Sequence, residues 1–362
     1  CPGTRDVITT YSGKGLTDEQ AIISAIMEAF ERQALLWDEK AVLLRTRSHL
    51  EDHNYKFIPP EAFREWARTI NPHEMVAWVE VESLSSDSRY LVPAEIVFLG
   101  DRPRNINPIF AVVTSNGCAS GATLHEAQRH GIYEVIERHV VSKLEILNVA
   151  ANAAQQELAK RIGLNIDHVM LPSAGASQLS VDMDGAAEEL WSRLIKAGLS
   201  PTAIVTEVIG VGYMIGVFAV DSFDYNVHWI NAGYAFRASA QDALISAIVE
   251  VAQTRATLRQ GSREDYGLRE KAPRWSVPKD PWFSRFEDHA RLSDCPDYPE
   301  LSISDLCKSA EDAFGSSLYM YQTEPILDCH AVRIFSPGAQ NWHITGGLSS
   351  IKTQRPSFSK DL

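Results

Sequence analysis

Ser115-Asn-Gly-Cys-Ala-Ser-Gly121-Ala-Thr123-Leu-His-Glu126-Ala127-Gln-Arg-His-Gly131-Ile-Tyr-Glu134-Val-Ile-Glu137-Arg138 is the stretch from which the rest of the chain is read. Small residues run up to Thr123, and Glu126 stands three positions later. That is the spacing of a capping box, in which each side chain bonds the other residue's backbone N–H. A long helix is therefore predicted to begin at Thr123. Its body is rich in Ile, Val and Tyr, yet Glu134, Glu137 and Arg138 sit among them.

The arrangement occurs in three segments that superimpose without gaps. The first is Thr17-Asp-Glu-Gln20-Ala21 with Glu28 and Glu31, and the third is Ser239-Ala-Gln-Asp242-Ala243 with Glu250 and Gln253. Each opens with Ser or Thr and a Gln, Glu or Asp three residues on, then places Ala, Glu and Glu/Gln at i, i+7 and i+10 on one helical face. The company of these carboxylates is apolar: Ala21-Ile-Ile-Ser-Ala-Ile-Met precedes Glu28, and Ala247-Ile-Val precedes Glu250. Helices this apolar are expected inside a protein. A buried carboxylate without a partner costs several kcal/mol or takes up a proton. A divalent cation removes that cost, and Mg²⁺ takes oxygen ligands from carboxylates and phosphates. The competing reading is that each Glu pairs with the Arg nearby, Arg32, Arg138 or Arg255. For a single glutamate the two readings are balanced, and the threefold pattern favours the metal.

Gly-rich segments precede two of the helices, Ser12-Gly-Lys14-Gly15 and Ser115–Gly121. Glycine lets backbone N–H groups approach an anion, and a helix N-terminus adds partial positive charge. Lys14 offers a further phosphate contact. Neither segment has P-loop spacing, and Gly210-x-Gly212 does not continue into a dinucleotide-binding pattern.

Outward from these helices the chain alternates. Helices are expected near Thr17–Trp37, Gly185–Gly198, Ser239–Leu258 and Ser304–Phe314. Strands are expected at Met75–Val81, Tyr90–Leu99 (Pro93 marking an edge or bulge), Ile109–Thr114, Thr202–Ile209, Met214–Asp221, Val227–Asn231, Ser317–Gln322 and Ala331–Phe335. The sequence up to about Pro72 reads as polar and turn-rich, and Lys271–Tyr298 as a long excursion. This mixture indicates an α/β or α+β fold. No linker divides it, so residues 1–362 are read as a single domain.

At 362 residues, 45% hydrophobic and 22% charged, the composition is that of a soluble globular protein. The net charge of −13 argues against nucleic acid as the main partner, since phosphate backbones are bound by surplus Lys and Arg. The five cysteines are scattered without zinc-ligand spacing, which suits reduced thiols in the cytoplasm. Val208–Val220 is too short and glycine-rich for a membrane span and reads as buried strands joined by a turn. The opening Cys-Pro-Gly, with no initiator Met and no apolar signal, hints that the natural chain starts further upstream.

These residues resemble those of the YcaO family. Ser12-Gly-Lys-Gly-Leu-Thr-Asp-Glu-Gln with Met27-Glu28-Ala-Phe-Glu31-Arg32 is similar to its first motif, and Ser115 to Arg138 to the second and more specific one. Ala243 to Arg255 with Gly261-Ser-Arg263-Glu-Asp265 resembles the third, and Val332-Arg-Ile-Phe-Ser-Pro337-Gly338 the strand and turn near the family's C-terminus. The resemblance spans about Ser12 to Trp342. It implies a YcaO-type fold of repeated strand–helix units around a buried ATP and Mg²⁺ site. Nucleotide ligands by position are then Lys14, Glu28, Glu31, Glu126, Glu134, Glu137, Arg138, Glu250, Gln253 and Arg263, with Glu28, Glu31, Glu134, Glu137 and Glu250 on the metal. It implies activation of backbone amides in a ribosomally made precursor peptide. A nucleophile adds to the amide carbonyl, the resulting oxyanion attacks the γ-phosphate of ATP, and phosphate departs with the amide oxygen. No residue declares itself as the base.

Three features depart from the family pattern. Many relatives have Asn at the position of Ala122, although some peptide-cyclising members read Gly-Ala-Thr here too. Many have Arg where this chain has Ser246, and azoline-forming members end in a Pro-rich tail where this chain ends Arg355-Pro-Ser-Phe-Ser-Lys-Asp-Leu. The nucleophile decides the product: a Cys, Ser or Thr side chain gives an azoline, sulfide a thioamide, an amine an amidine. Gly117-Cys-Ala-Ser-Gly-Ala-Thr-Leu and Ser88-Arg-Tyr-Leu-Val-Pro-Ala favour azoline formation of the thiazole/oxazole type. The partners expected are the precursor peptide and an E1-like leader-binding protein, with homo-oligomerisation open and neither nucleic acid nor membrane involved. A non-catalytic docking subunit is the alternative that Ala122 and Ser246 keep open. The histidines along the second helix and Cys118 read as packing residues.

Overall fold

Runs of Val, Ala, Trp and Ile bounded by turn residues pair into two sheets in this computed structural model. It describes residues 11–63, 67–100, 102–103, 105–110, 114–151, 176–182, 185–221, 229–260, 286 and 288–340. The chain divides into two compact units, one of Cys1–Gln33 with Gly175–Ser302 and the other of Ala34–Ala174 with Ile303–Leu362.

The second of these units holds strands β1 (Val42–Thr46), β2 (Met75–Ser83), β3 (Arg89–Pro93), β4 (Cys118–Gly121), β10 (Tyr319–Gln322) and β11 (His330–Phe335). Their order is β1-β2-β10-β11-β4, with β3 also on β2, and every pairing is antiparallel. The short helices α2 (Arg47–Asp52) and α3 (Ala94–Val97) border the sheet, and α4 (Leu124–Ala151) packs on β4, β11 and helix α7 (Ile303–Phe314). Trp78 is fully buried at the centre and satisfies its indole N–H on the Arg45 carbonyl. Gly117, at φ +82°, is held by the Ile334 N–H donating to its carbonyl at 2.8 Å. A Cβ there would stand 1.9 Å from the Ile334 carbonyl oxygen, so only glycine fits between the turn and β11.

The other unit holds α1 (Asp18–Ala34), β5 (Ala176–Ser180), α5 (Ala186–Lys196), β6 (Leu199–Val208), β7 (Gly212–Asp221), β8 (Trp229–Arg237), α6 (Ala240–Gln260) and β9 (His289–Arg291). Its sheet runs β8-β7-β6-β5-β9, antiparallel except for β5 with β9. The β6–β7 hairpin registers Leu199 with Asp221 through to Val208 with Gly212, so the apolar run around Val208–Val220 is the expected pair of strands and turn. Helix α6 lies on β7 and β8, burying Ala243, Leu244, Ala247, Ile248 and Val251. Gly233 permits this approach: a Cβ would be 2.2 Å from the Ala247 carbonyl oxygen.

Several expectations are corrected. Tyr90–Leu99 is not one strand, because β3 stops at Pro93, which has no N–H to donate, and the chain turns into α3. The supposed loop Ser115–Gly121 is half strand, since Cys118–Gly121 finds a hydrogen-bonding edge on β11. The polar region before Pro72 contains β1 and α2, and β5 was not anticipated. Helix α1 is not buried as its composition suggested: it has no buried residue, and Ile22, Ile23 and Ile26 are about 60% exposed. Within its unit it is held by the preceding loop, where Gly13 lies against the backbone of Ala21 and Ala25, and this leaves the isoleucines facing outward. Residues 111–113, 227–228, 271–285 and 287 of three expected segments lie outside the described residues.

Candidate functional site

The capping spacing that opens each repeat is realised in all three helices. Thr123 and Glu126 form a reciprocal capping box, each side chain accepting the other's backbone N–H at 3.2 Å. The Gln20 N–H donates to Thr17 Oγ1 at 3.3 Å, and the Asp242 N–H reaches Ser239 Oγ at 3.5 Å. The repeat alanines Ala127 and Ala243 are fully buried, which fixes the rotation of α4 and α6 and hence where the carboxylates at i+7 emerge.

In the unit carrying α1 and α6, the loop before α1 reaches α6. Lys14 Nζ donates to Glu250 Oε2 at 2.7 Å, with side-chain exposures of 37% and 19%. The Gln253 amide donates to both the carbonyl and the hydroxyl of Ser12, and the Ser12 and Thr257 hydroxyls lie 3.4 Å apart. Lys14, Glu250 and Gln253 are thus brought together. On α1, Glu28 pairs with Arg32 at 3.4 Å.

In the other unit Arg138 is shared by two repeat carboxylates, 3.2 Å from Glu137 and 4.0 Å from Glu134. Glu137 is buried, whereas Glu134 keeps 29% of its side chain exposed. Glu126 serves the capping box. The pairing anticipated as the competing reading holds for Arg32 and Arg138 but not for Arg255, which bonds Asp221 at 2.9 Å and leaves Glu250 to Lys14. Arg263 lies outside the described residues.

These groups suit a Mg²⁺–phosphate ligand chemically. The carboxylates are hard oxygen donors, and Glu28, Glu134, Glu137 and Glu250 each have a Lys or Arg beside them that can turn to a phosphate. Among the described residues no three His, Cys, Asp or Glu side chains converge as a metal cluster. Mg²⁺ takes its oxygen ligands from carboxylates together with phosphates and water.

Sequence reasoning passed over Arg333. It sits in β11 with Ala331, Val332, Ile334 and Phe335 buried around it and is itself 4% exposed. Its Nε donates to the Ile96 carbonyl and its Nη1 to Cys118 Sγ, both at 3.0 Å. The signal was present, a single charge in a strand apolar on both faces, but β11 drew attention only for its motif. Cys118 is the buried packing residue expected, and so is His139, whose Nδ1 accepts the Gln340 N–H and whose ring lies 4.8 Å from that of Phe314. Among the described residues no helix is long and apolar enough to cross a membrane.

The chain is similar to known proteins over most of its length. Residues 12–340 match the family model described as YcaO cyclodehydratase, ATP- and Mg²⁺-binding. A protein of Methanothermobacter thermautotrophicus is 29% identical over 92% of this chain and 82% of its own length. A protein of Rhizobium leguminosarum bv. trifolii, described by its place in the tfuA 3′ region, is 25% identical over 72% of this chain and 58% of its own. Among solved structures, YcaO from Methanopyrus kandleri bound with AMPPCP and Mg²⁺ matches with a TM-score of 0.63 and 21% identity, over 91% of this chain and 78% of that one. A heterocyclase in complex with substrate and cofactor matches at 0.68 and 17%, over 91% and 44%. The E. coli microcin synthetase McbBCD complex with pro-MccB17 bound matches at 0.61 and 16%, over 93% and 87%. These structural likenesses establish a shared mixed α/β fold.

Proposed function

The chain belongs to the YcaO family, and from that premise we propose that it activates backbone amides of a ribosomally made peptide, with azoline formation from Cys, Ser or Thr as the product. The family's cofactors are ATP and Mg²⁺. The observation that carries the reading is the threefold one: each repeat helix carries a glutamate at i+7 beside a cation of its own unit. A scaffold has no use for partly buried carboxylates at equivalent positions of three helices.

Bound ATP supplies the phosphoryl group that makes an amide oxygen a leaving group, and Mg²⁺ neutralises phosphate charge. Glu28, Glu31, Glu134, Glu137 and Glu250 are the proposed metal ligands. Lys14 and Arg138, with Gln253 and Arg263, are the proposed phosphate contacts, and the Lys14–Glu250 and Arg138–Glu137 pairs keep both charges satisfied until nucleotide arrives. Glu126 holds the N-terminus of α4 through its capping box and so positions Glu134 two turns along. The proposed partners are a precursor peptide and a leader-binding protein, which parallels the substrate in the heterocyclase complex and the pro-MccB17 bound to the microcin synthetase McbBCD complex.

The test is intact-mass spectrometry of a Cys/Ser/Thr-rich precursor peptide incubated with the protein, its candidate partner, ATP and Mg²⁺. Loss of one water per modified residue is the expected result, and Glu134→Gln abolishes it. Exchange of oxygen for sulfur with sulfide present would assign thioamide formation. Unchanged turnover in Glu134→Gln would refute the ligand assignment, and no mass change despite nucleotide binding would favour a docking subunit.

A further inference from the structure

Arg333 carries a full charge into the core of its unit, and among the described residues no carboxylate pairs with it. A guanidinium has five N–H donors. One goes to the Ile96 carbonyl and one to a thiol sulfur, a weak acceptor, so three remain. Buried cations are ordinarily matched by an anion, because the loss of hydration is otherwise uncompensated. Beside Arg333 lies a cavity of about 30 Å³, lined also by Arg138, Asn116, Ser336 and Gln340 among apolar neighbours such as Phe63 and Phe335. Its polar lining is thus two guanidiniums, two amides and a hydroxyl, with no acidic residue in the wall among the described residues.

We propose that this cavity is an oxyanion subsite, with the buried Arg333 fork as its fixed donor, that takes a phosphoryl group. The volume is room for roughly two water molecules, which admits the terminal oxygens of a phosphoryl group and excludes a base or sugar. Arginine's planar fork matches such oxygens in pairs, and a donor locked by the Ile96 and Cys118 contacts has little orientation left to lose on binding. Arg138 joins this cavity to the carboxylate pair Glu134 and Glu137, so the subsite extends the proposed nucleotide site and rests on that reading. The phosphoryl group belongs either to the nucleotide or to the inorganic phosphate released from it.

The experiment compares thermal shifts and calorimetric binding of the full chain with inorganic phosphate, with a non-hydrolysable ATP analogue plus Mg²⁺, and with acetate as a carboxylate control. The variants are Arg333→Lys and Asn116→Asp. Asn116→Asp is isosteric and places a carboxylate on the cavity wall, so it is expected to raise the ligand-free melting temperature while weakening phosphoryl binding at least tenfold. Arg333→Lys keeps the charge but loses the fork, and weakening at least threefold is expected. Protection of the wild type by phosphate alone assigns the free anion, and protection only by the analogue assigns the nucleotide. Equal protection by acetate, or ligand binding unchanged in Asn116→Asp, would overturn the proposal while leaving nucleotide binding intact. Absence of analogue binding in the wild type, with phosphate binding retained and lost in Asn116→Asp, would instead remove the nucleotide reading and keep the subsite.

Discussion

Gly13→Ala and Gly233→Ala make the same chemical change in the same unit, and the structure assigns them opposite consequences. At Gly13 the new Cβ would lie 1.7 Å from the Ala21 carbonyl oxygen and 2.5 Å from the Ala25 nitrogen, both backbone atoms of α1. No side chain can swing aside, so the loop must retreat by about 1.3 Å to reach even the 3.0 Å floor for such contacts. A retreat of that size stretches the 2.7 Å Lys14–Glu250 contact toward about 4 Å and pulls Ser12 off Gln253. The direct stability loss is small: about 0–1 kcal/mol for a partly exposed ion pair and about 1 kcal/mol for a hydrogen bond. Helix α1 buries no residue, so the fold of its unit does not depend on the loop's seat. Nucleotide affinity is another matter, because the proposed charge-assisted contact from Lys14 would be worth about 1.5–3 kcal/mol, or roughly ten- to hundredfold. At Gly233 the Cβ would meet the Ala247 carbonyl oxygen at 2.2 Å inside the β8–α6 contact, where overpacking costs about 1–3 kcal/mol of stability. The assay is calorimetric titration with an ATP analogue and Mg²⁺ beside thermal denaturation followed by circular dichroism. Gly13→Ala should lose affinity with little change in melting temperature, and Gly233→Ala should melt earlier with affinity retained below its transition. Wild-type affinity in Gly13→Ala would refute the role given to the loop.

Three further outcomes are expected. Glu95 is buried, and its carboxylate accepts the backbone N–H groups of Ile109 and Phe110 at 3.0–3.1 Å; Glu95→Ala leaves both donors unsatisfied and should cost about 2–5 kcal/mol, read from the urea midpoint by tryptophan fluorescence. Burial pushes the Cys307 thiol up to about 11, so the folded protein keeps a proton that the unfolded chain loses above its ordinary 9.0. That contribution is fully present below pH 9 and disappears as pH rises toward 11, removing about 2–3 kcal/mol, and unfolding free energies of Cys307→Ala across this window should lack the decline. Ile23→Gln and Ile26→Gln on the exposed side of α1 should change stability by no more than about 0.5 kcal/mol, whereas Ile248→Gln, at 2% exposure on α6, should cost several times as much in the same denaturation assay.

How far the sequence could be read depended on whether a signal was local. Capping spacings are local, and the starts of α1, α4 and α6 fall where Thr17, Thr123 and Ser239 put them. The β6–β7 hairpin was legible because ten-residue strands joined by a glycine turn carry their own register. Cys118–Gly121 was not, because nothing in Cys-Ala-Ser-Gly demands a strand until β11, more than two hundred residues on, offers it an edge. The exposure of α1 was hidden for a related reason. Composition says what a helix could bury, while the number of partners it meets is a property of the assembled unit.

The same distinction bears on the carboxylates. Apolar neighbours suggested buried glutamates that would repel one another without a metal, and the structure leaves Glu28, Glu134 and Glu250 between 19% and 29% exposed beside Arg32, Arg138 and Lys14. Pairing of this kind does not compete with a Mg²⁺–phosphate ligand. Fully buried, unpaired carboxylates would protonate before any metal arrived. Carboxylates already paired with a movable ammonium or guanidinium could exchange one cation for another, and Lys14 or Arg138, so released, would face the phosphates of the proposed ligand. On that argument the ion pairs are the resting form of the proposed site, and Arg333, for which no carboxylate partner stands among the described residues, is a donor that need not move to bind.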